Sequence, residues 1–171
     1  MNQTDATFLF LGTHPGTLDE NGRLSIPADF RHVMEECGES ELVFTPGRKD
    51  FIYSFPRKFY NSYLKSIDPF NTLFNKEDSL HINIAIHASS VRKPIDSQGR
   101  VTLPMTLFQR YGMKRDIVFI GCGSHFLIWE KAAYETFTRE NGITSGEAWE
   151  RQQQMQERTK ELLDAYLRGN Q

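Results

Sequence analysis

Apolar positions in this chain switch from a period of two to a helical period and back again, and the whole succession occurs twice. After Asp19-Glu20-Asn21-Gly22, Leu24 and Ile26 point to one face and Arg23 and Ser25 to the other, the alternation of a half-buried strand. The Asn21-Gly22 pair predicts a tight reversal of type I′ ahead of that strand, because both residue types tolerate positive φ. Pro27 then ends the strand and suits the first turn of a helix, where a missing N–H costs nothing. Phe30, Val33, Met34 and Cys37 follow at i, i+3, i+4 and i+7, one apolar stripe with Gly38 as its stop. Leu42-Val43-Phe44, a Pro46-Gly47 turn and Phe51-Ile52-Tyr53-Ser54-Phe55 predict a strand pair. Pro56 opens a second amphipathic helix on Phe59, Tyr60, Tyr63, Leu64 and Ile67, which Asp68-Pro69 stops.

Asp19-Glu20-Asn21-Gly22-Arg23-Leu24-Ser25-Ile26-Pro27 returns as Asp96-Ser97-Gln98-Gly99-Arg100-Val101-Thr102-Leu103-Pro104. The elements that follow return with it. Leu107, Phe108 and Tyr111 before Gly112 form a shorter helix, Ile117-Val118-Phe119-Ile120 and Phe126-Leu127-Ile128-Trp129 a strand pair, and Ala133, Tyr134 and Phe137 a weaker final stripe. Self-similarity at a fixed spacing marks an internal duplication. Each arginine is expected to face outward at a hairpin tip, while units of about 60 residues bury too little alone, so the two copies share one core. In the stretch between them Ile82, Ile84 and Ile86 alternate like a strand against His81, Asn83, Ala85 and His87.

With 171 residues and 39% apolar composition, the chain reads as globular. No run of about 18 apolar residues occurs and the start, MNQTDATFLFLG, lacks the features of a signal peptide, so no membrane association and a cytoplasmic location are expected. Cys37 and Cys122 read as buried small hydrophobes, since two cysteines make no disulfide framework and neither has metal-ligand spacing. No metal or cofactor is expected, and His14, His32, His81 and His87 likewise show no ligand spacing. The net charge of −2 argues against a generic polyanion binder. Its distribution is uneven. Residues 91–115 hold Arg92, Lys93, Arg100, Arg110, Lys114 and Arg115 against Asp96, a balance of +5, whereas residues 14–38 hold Arg23 and Arg31 against five carboxylates, a balance of −3.

FLGTHPGTLDENGRLSIPADFR, DSQGRVTLP and FLIWEK together resemble the MraZ family of bacterial transcriptional regulators, over roughly residues 8–139. The chain departs from that pattern at Leu11, where a basic residue is usual, and Pro15-Gly16 interrupts the first strand. The resemblance implies an α+β fold of duplicated swapped-hairpin, AbrB-like β-barrel units with short helices. The first SpoVT-AbrB-like repeat would span 8–68 and the second 91–139. The connecting segment 69–90 would be partly helical, with a helix over about 77–87 against the alternation there, and a C-terminal helical extension would span 143–171.

The resemblance also implies a sequence-specific DNA-binding regulator acting as a ring-shaped homo-oligomer on repeated promoter boxes of division and cell-wall genes, associated with the nucleoid. The family's Asp-x-x-x-Arg motif, tied to double-stranded DNA binding, falls on Asp19 with Arg23 and on Asp96 with Arg100. An arginine fork can bond guanine O6 and N7 together, and a preceding aspartate can hold it. Arg92, Lys93, Arg110, Lys114 and Arg115 are candidate phosphate contacts. The charge distribution favours the second loop, so that Arg100→Ala is expected to weaken binding more than Arg23→Ala.

Two other readings compete. Gly121-Cys122-Gly123-Ser124-His125 crowds a thiol, a hydroxyl and an imidazole, but it lacks a third group at a diagnostic spacing and sits where the first copy has a hairpin turn, so no enzyme is expected. The alternative is a protein-interaction or scaffold module using the C-terminal helix. Thr144 and Glu147 form a capping box, and Trp149, Met155, Leu162, Leu163, Tyr166 and Leu167 lie along a glutamine- and charge-rich stretch that could pack on its own ring, dock a protein partner or extend into solvent.

Overall fold

The computed structural model describes residues 9–47, 50–67, 81, 84–142 and 144–169, without side-chain detail for 65–67 and 161–169. The first copy forms β1 (Thr13–Thr17), β2 (Arg23–Ser25), α1 (Ala28–Glu36), β3 (Glu41–Pro46), β4 (Phe51–Pro56) and α2 (Arg57–Ile67). The second forms β5 (Val91–Pro94), β6 (Arg100–Thr102), α3 (Met105–Arg110), β7 (Asp116–Gly121), β8 (Phe126–Glu130) and α4 (Lys131–Asn141), after which comes α5 (Ser145–Gly169). Two compact units divide the chain, Met1–Tyr134 and Glu135–Gln171.

In the first unit the copies exchange strands. A six-stranded antiparallel sheet runs β1-β7-β8-β4-β3-β5, and β2 pairs with β6 in a separate ribbon. The opening strand of each copy thus lies on the third strand of the other, β1 on β7 and β5 on β3. The bonds between copies come in matched pairs: Ile26 N–H donates to Gly99 O (2.9 Å) as Leu103 N–H does to Gly22 O (2.8 Å), and Leu18 N–H donates to Arg115 O (2.8 Å) as Ile95 N–H does to Ser40 O (2.9 Å). Among the described residues the ladders leave β1 and β5 as edges, so hydrogen bonding does not close the sheet into the expected barrel.

One core serves both copies. Leu24, Ile26, Phe30 and Met34 from the first pack with Val101, Leu103, Leu107 and Phe108 from the second, against the sheet residues Phe44, Ile52, Phe119 and Phe126. Phe30 lies 5.3 Å from the ring of Phe10 and 5.0 Å from that of Phe126, and a buried aromatic of this kind contributes about 1.5–3 kcal/mol. A smaller cluster of Val43, Phe55 and Tyr60, flanked by Tyr63 and Leu64, joins α2 to β3 and β4.

The helix stops follow the sequence. Gly38 (φ +67°) and Gly112 (φ +60°) take the left-handed conformation, and the next amides, Glu39 and Met113, bond back to Met34 O and Phe108 O, which satisfies carbonyls that a helix end leaves free. Pro27 and Pro104 stand at the cap position just ahead of the first helical residue.

Several expectations are corrected. Pro15-Gly16 does not interrupt β1, which runs unbroken because it is an edge strand where a proline costs no ladder bond. Gly16 is needed there, since a Cβ would overlap the Phe119 ring. The alternation of Ile84 and Ile86 does not produce a strand, because residues 84–87 are helical; Ile82 and residues 77–80 lie outside the described residues, as do Asp68 and Pro69. Cys122 is exposed in the β7–β8 turn, not buried, and Cys37 is only partly buried.

The second unit contains α5, whose start is closed by the predicted capping box. Thr144 N–H donates to Glu147 Oε2 (2.7 Å), and Glu147 N–H donates to Thr144 Oγ1 (3.2 Å). The Thr144 backbone N–H, and after it the Thr144 hydroxyl that donates to the same carboxylate oxygen at 2.8 Å, hold the Glu147 carboxyl below its ordinary pKa. Trp149 and Met155 are exposed on α5. Among the described residues no helix is long and apolar enough to cross a membrane.

Candidate nucleic-acid interface

Both Asp-x-x-Gly-Arg loops are built alike from their own side chains. Asp19 Oδ1 accepts from the amides of Asn21 and Arg23 (2.8 Å each), while Gly22 N–H donates to Asp19 O at 3.1 Å. Asp96 Oδ1 accepts from Gln98 and Arg100 (2.9 Å each), and Gly99 N–H donates to Asp96 O at 2.9 Å. Only the glycines are left-handed, Gly22 at φ +77° and Gly99 at φ +73°. The expected type I′ turn at Asn21-Gly22 is therefore absent, because the aspartate side chain closes an Asx turn that asks positive φ of one residue alone. Both aspartate carboxyls are held below the ordinary range, most by the Arg23 or Arg100 backbone N–H that bonds them.

The arginines do not occupy two separate hairpin tips. Each is the first residue of its exit strand, and β2 pairs with β6 in the register Arg23↔Thr102, Leu24↔Val101, Ser25↔Arg100. Leu24 and Val101 are buried, so the alternation puts Arg23, Ser25, Arg100 and Thr102 together on the other face of one ribbon. The two arginines are diagonal neighbours there. Their side chains are held differently: Arg100 Nε and Nη2 both stand 3.0 Å from Asp96 Oδ2, whereas Arg23 Nε stands 3.9 Å from Asp19 Oδ2.

The other basic residues disperse. Arg92 is exposed on edge strand β5 with Nε 3.8 Å from Glu41, and Lys93, next along the strand, points to its opposite face. Arg110 donates from Nη1 to Ser89 Oγ at 3.0 Å. Lys114 and Arg115 line a cleft with Leu18, Asp19 and Glu20, beside the first loop and not the second. The strand exchange thus carries charge of the +5 segment over to the −3 segment, so the count along the chain does not describe the two loops in space. Ser25 and Thr102, which the sequence reading did not single out as contacts, share the arginines' face; the signal was present in their alternation with Leu24, Ile26, Val101 and Leu103.

The Gly121–His125 segment is a hairpin turn. Cys122 N–H donates to His125 O (2.9 Å), Gly123 exchanges backbone bonds with Phe10, and His125 stacks on Phe55 at 4.8 Å, where burial lowers its pKa. Among the described residues no group of three or more His, Cys, Asp or Glu could hold a metal ion.

The family described as "MraZ protein, putative antitoxin-like" matches residues 9–80 and 86–158, one span on each copy and reaching past residue 139 into α5. A protein of Leifsonia xyli subsp. xyli named Transcriptional regulator MraZ is 35% identical over 129 residues, covering 75% of this chain and 86% of its own length. Its namesake in Paenarthrobacter aurescens is 36% identical over 132 residues, covering 77% and 88%, and that of Gluconacetobacter diazotrophicus is 31% identical over 131 residues. The chain belongs to the MraZ family, whose members are named as transcriptional regulators and not as enzymes.

Proposed function

We propose that the chain binds double-stranded DNA sequence-specifically through the exposed face of the β2–β6 ribbon, with Arg23 and Arg100 reading bases and Asp19 and Asp96 holding their loops. The observation that carries this reading is the convergence of both arginines on one face of one ribbon. A two-stranded ribbon fits the major groove, and an arginine fork there bonds guanine O6 and N7. Arg92 and Lys93 lie on opposite faces of β5, so at most one of them serves as a phosphate contact at the same DNA surface.

A subunit of net charge −2 gains affinity by acting in numbers, because once one ribbon is engaged the others bind at high effective concentration. The assembly we propose is a homo-oligomeric ring in the cytoplasm, on the nucleoid, engaging repeated promoter boxes of division and cell-wall genes. The exchange of β1 and β5 between copies supports the swapped-hairpin arrangement for each pair of repeats. Light scattering after size exclusion, followed by titration with a promoter fragment carrying repeated boxes and with scrambled DNA of equal length, tests the reading. A multimer that prefers the boxes is expected; a monomer with no preference contradicts it. The exposed Trp149 and Met155 on α5 favour a second reading, in which this helix docks a protein partner.

A further inference from the structure

On the reading of the ribbon as a DNA contact, we propose that Arg31 is a positioning residue for Arg100, bracing the second recognition turn from the first copy's helix. Arg31 lies on α1, and its side chain crosses the backbone of Gly99, the residue just before Arg100. A Cβ on Gly99 would overlap the Cδ and Nη1 atoms of Arg31, so the missing side chain is what lets the guanidinium rest on the turn. Asp96 ties the same turn from within through the amides of Gln98 and Arg100. The turn is therefore held by its own aspartate and by an arginine that reaches it only because the copies exchange strands.

Among the described residues the first turn has no such brace. The space that a Cβ would take at Gly22 is met by the carbonyl of Leu103 and, at 3.3 Å, by Met105 Sδ, and the repeat places Phe108, a core residue, where Arg31 stands. The difference accompanies the two arginine geometries, with Arg100 closed on Asp96 at 3.0 Å twice over and Arg23 standing off at 3.9 Å.

Packing alone gives no reason for an arginine here. Its Nε is buried with no hydrogen-bond partner among the described residues, although Glu35 and Glu39 line the same cleft. Leaving a buried donor unsatisfied forfeits its hydration without return, a cost that a methionine of similar length would avoid. A rigid planar group on the peptide before Arg100 limits the directions in which that fork can point. Precision of this kind matters for base contacts, which require two bonds at once, and not for phosphate contacts. The three carboxylates around the cleft, Glu35, Glu39 and Asp96, also disfavour a phosphate there, so Arg31 acts through Arg100 and does not itself touch DNA.

A double-mutant cycle on the full-length chain tests this, using Arg31→Met, Arg100→Ala and the pair. Each is titrated with a duplex selected from a random pool by the unaltered chain and with a scrambled duplex, over a range of salt. Coupled neighbours exchange enough energy to predict a loss of about fivefold to tenfold for Arg31→Met on the selected duplex. No loss is expected on the scrambled duplex, nor any change in salt slope or further loss once Arg100 is gone. Arg31→Lys must show the same dependence on Arg100, which keeps the test decisive where the methionine variant melts early. An equal loss with and without Arg100, a shallower salt slope, or no loss at all overturns the proposal. If the unaltered chain shows no preference between the duplexes, the DNA reading falls and this inference with it; a preference in the unaltered chain with an uncoupled Arg31 overturns this inference alone.

Discussion

Arg100 and Asp96 are joined by two contacts of 3.0 Å to a single carboxylate oxygen, while the matching pair, Arg23 and Asp19, stands 3.9 Å apart. A duplicated motif with identical backbone bonding thus presents one arginine fixed and one loose. The first prediction follows from that contrast. Arg100→Ala weakens binding to a selected duplex more than Arg23→Ala does, by roughly tenfold against a few-fold on the scale of a bidentate base contact. The reason is pre-orientation and not local charge, because Lys114 and Arg115 of the basic segment flank the first loop. Fluorescence anisotropy titrations compare the two, and a larger loss at Arg23 rejects the ordering.

Charge on Asp96 makes the lock, so Asp96→Asn keeps one oxygen for the two amides but loses the charged partner of the guanidinium. Specific affinity is expected to fall several-fold, with a smaller fall for Asp19→Asn, since charge-assisted bonds are about twice as strong as neutral ones. Equal effects would show that the side-chain contact at Asp96 is without consequence.

Acid should loosen both loops. The Asp19 and Asp96 carboxyls are held below their ordinary range, first by the backbone N–H of Arg23 and Arg100, so the charged form is favoured in the folded loop. The stabilisation from a depressed value is complete above the ordinary carboxylate range and is lost as pH falls from that range through the lowered value of the folded loop. Carboxyl resonances followed by NMR across an acid titration should show both aspartates titrating below the same residues in an unfolded peptide. Midpoints at or above the peptide value would contradict the loop geometry.

Much of the fold was legible from periodicity because its causes are local. The helix stripes ending at Gly38 and Gly112, the strand pairs of β3 with β4 and β7 with β8, and the burial of Leu24 and Val101 all follow from spacings of a few residues. The exchange that lays β1 on β7 and β5 on β3 was not legible from periodicity, since pairing between distant strands leaves no mark in either strand alone, and only the resemblance to swapped-hairpin units implied it. That single feature, absent from the spacing of either strand, accounts for most of what changed at the site. It gathers two expected tips into one ribbon, moves Lys114 and Arg115 to the first loop and brings Arg31 to the second. The type I′ expectation failed for a different reason, because Asp19 supplies from its side chain the bonds that would otherwise require Asn21 to turn left-handed.

Gly16→Ala tests the exchange in its energetics. A Cβ at Gly16 would overlap the Phe119 ring across the β1–β7 ladder, which is the overpacking that costs about 1–3 kcal/mol. Urea unfolding should show that loss without a change in slope. An unaltered midpoint would mean that β1 does not lie on β7.

The ribbon proposed to contact DNA lies wholly in the unit Met1–Tyr134. Removing residues 143–171 should therefore leave the ratio of selected to scrambled binding unchanged, while light scattering reports whether α5 supports assembly. Loss of the ratio with the first unit still folded would place recognition elsewhere.

The most direct test of the ribbon as the recognition surface is the Arg23→Ala, Arg100→Ala double variant, titrated with selected and scrambled duplexes after its melting temperature and particle mass have been matched to the unaltered chain. Both residues lie on an exposed ribbon face outside the core, so folding and assembly should survive. The account predicts that affinity for the selected duplex drops to that for the scrambled one. A double variant that still prefers the selected duplex would contradict it.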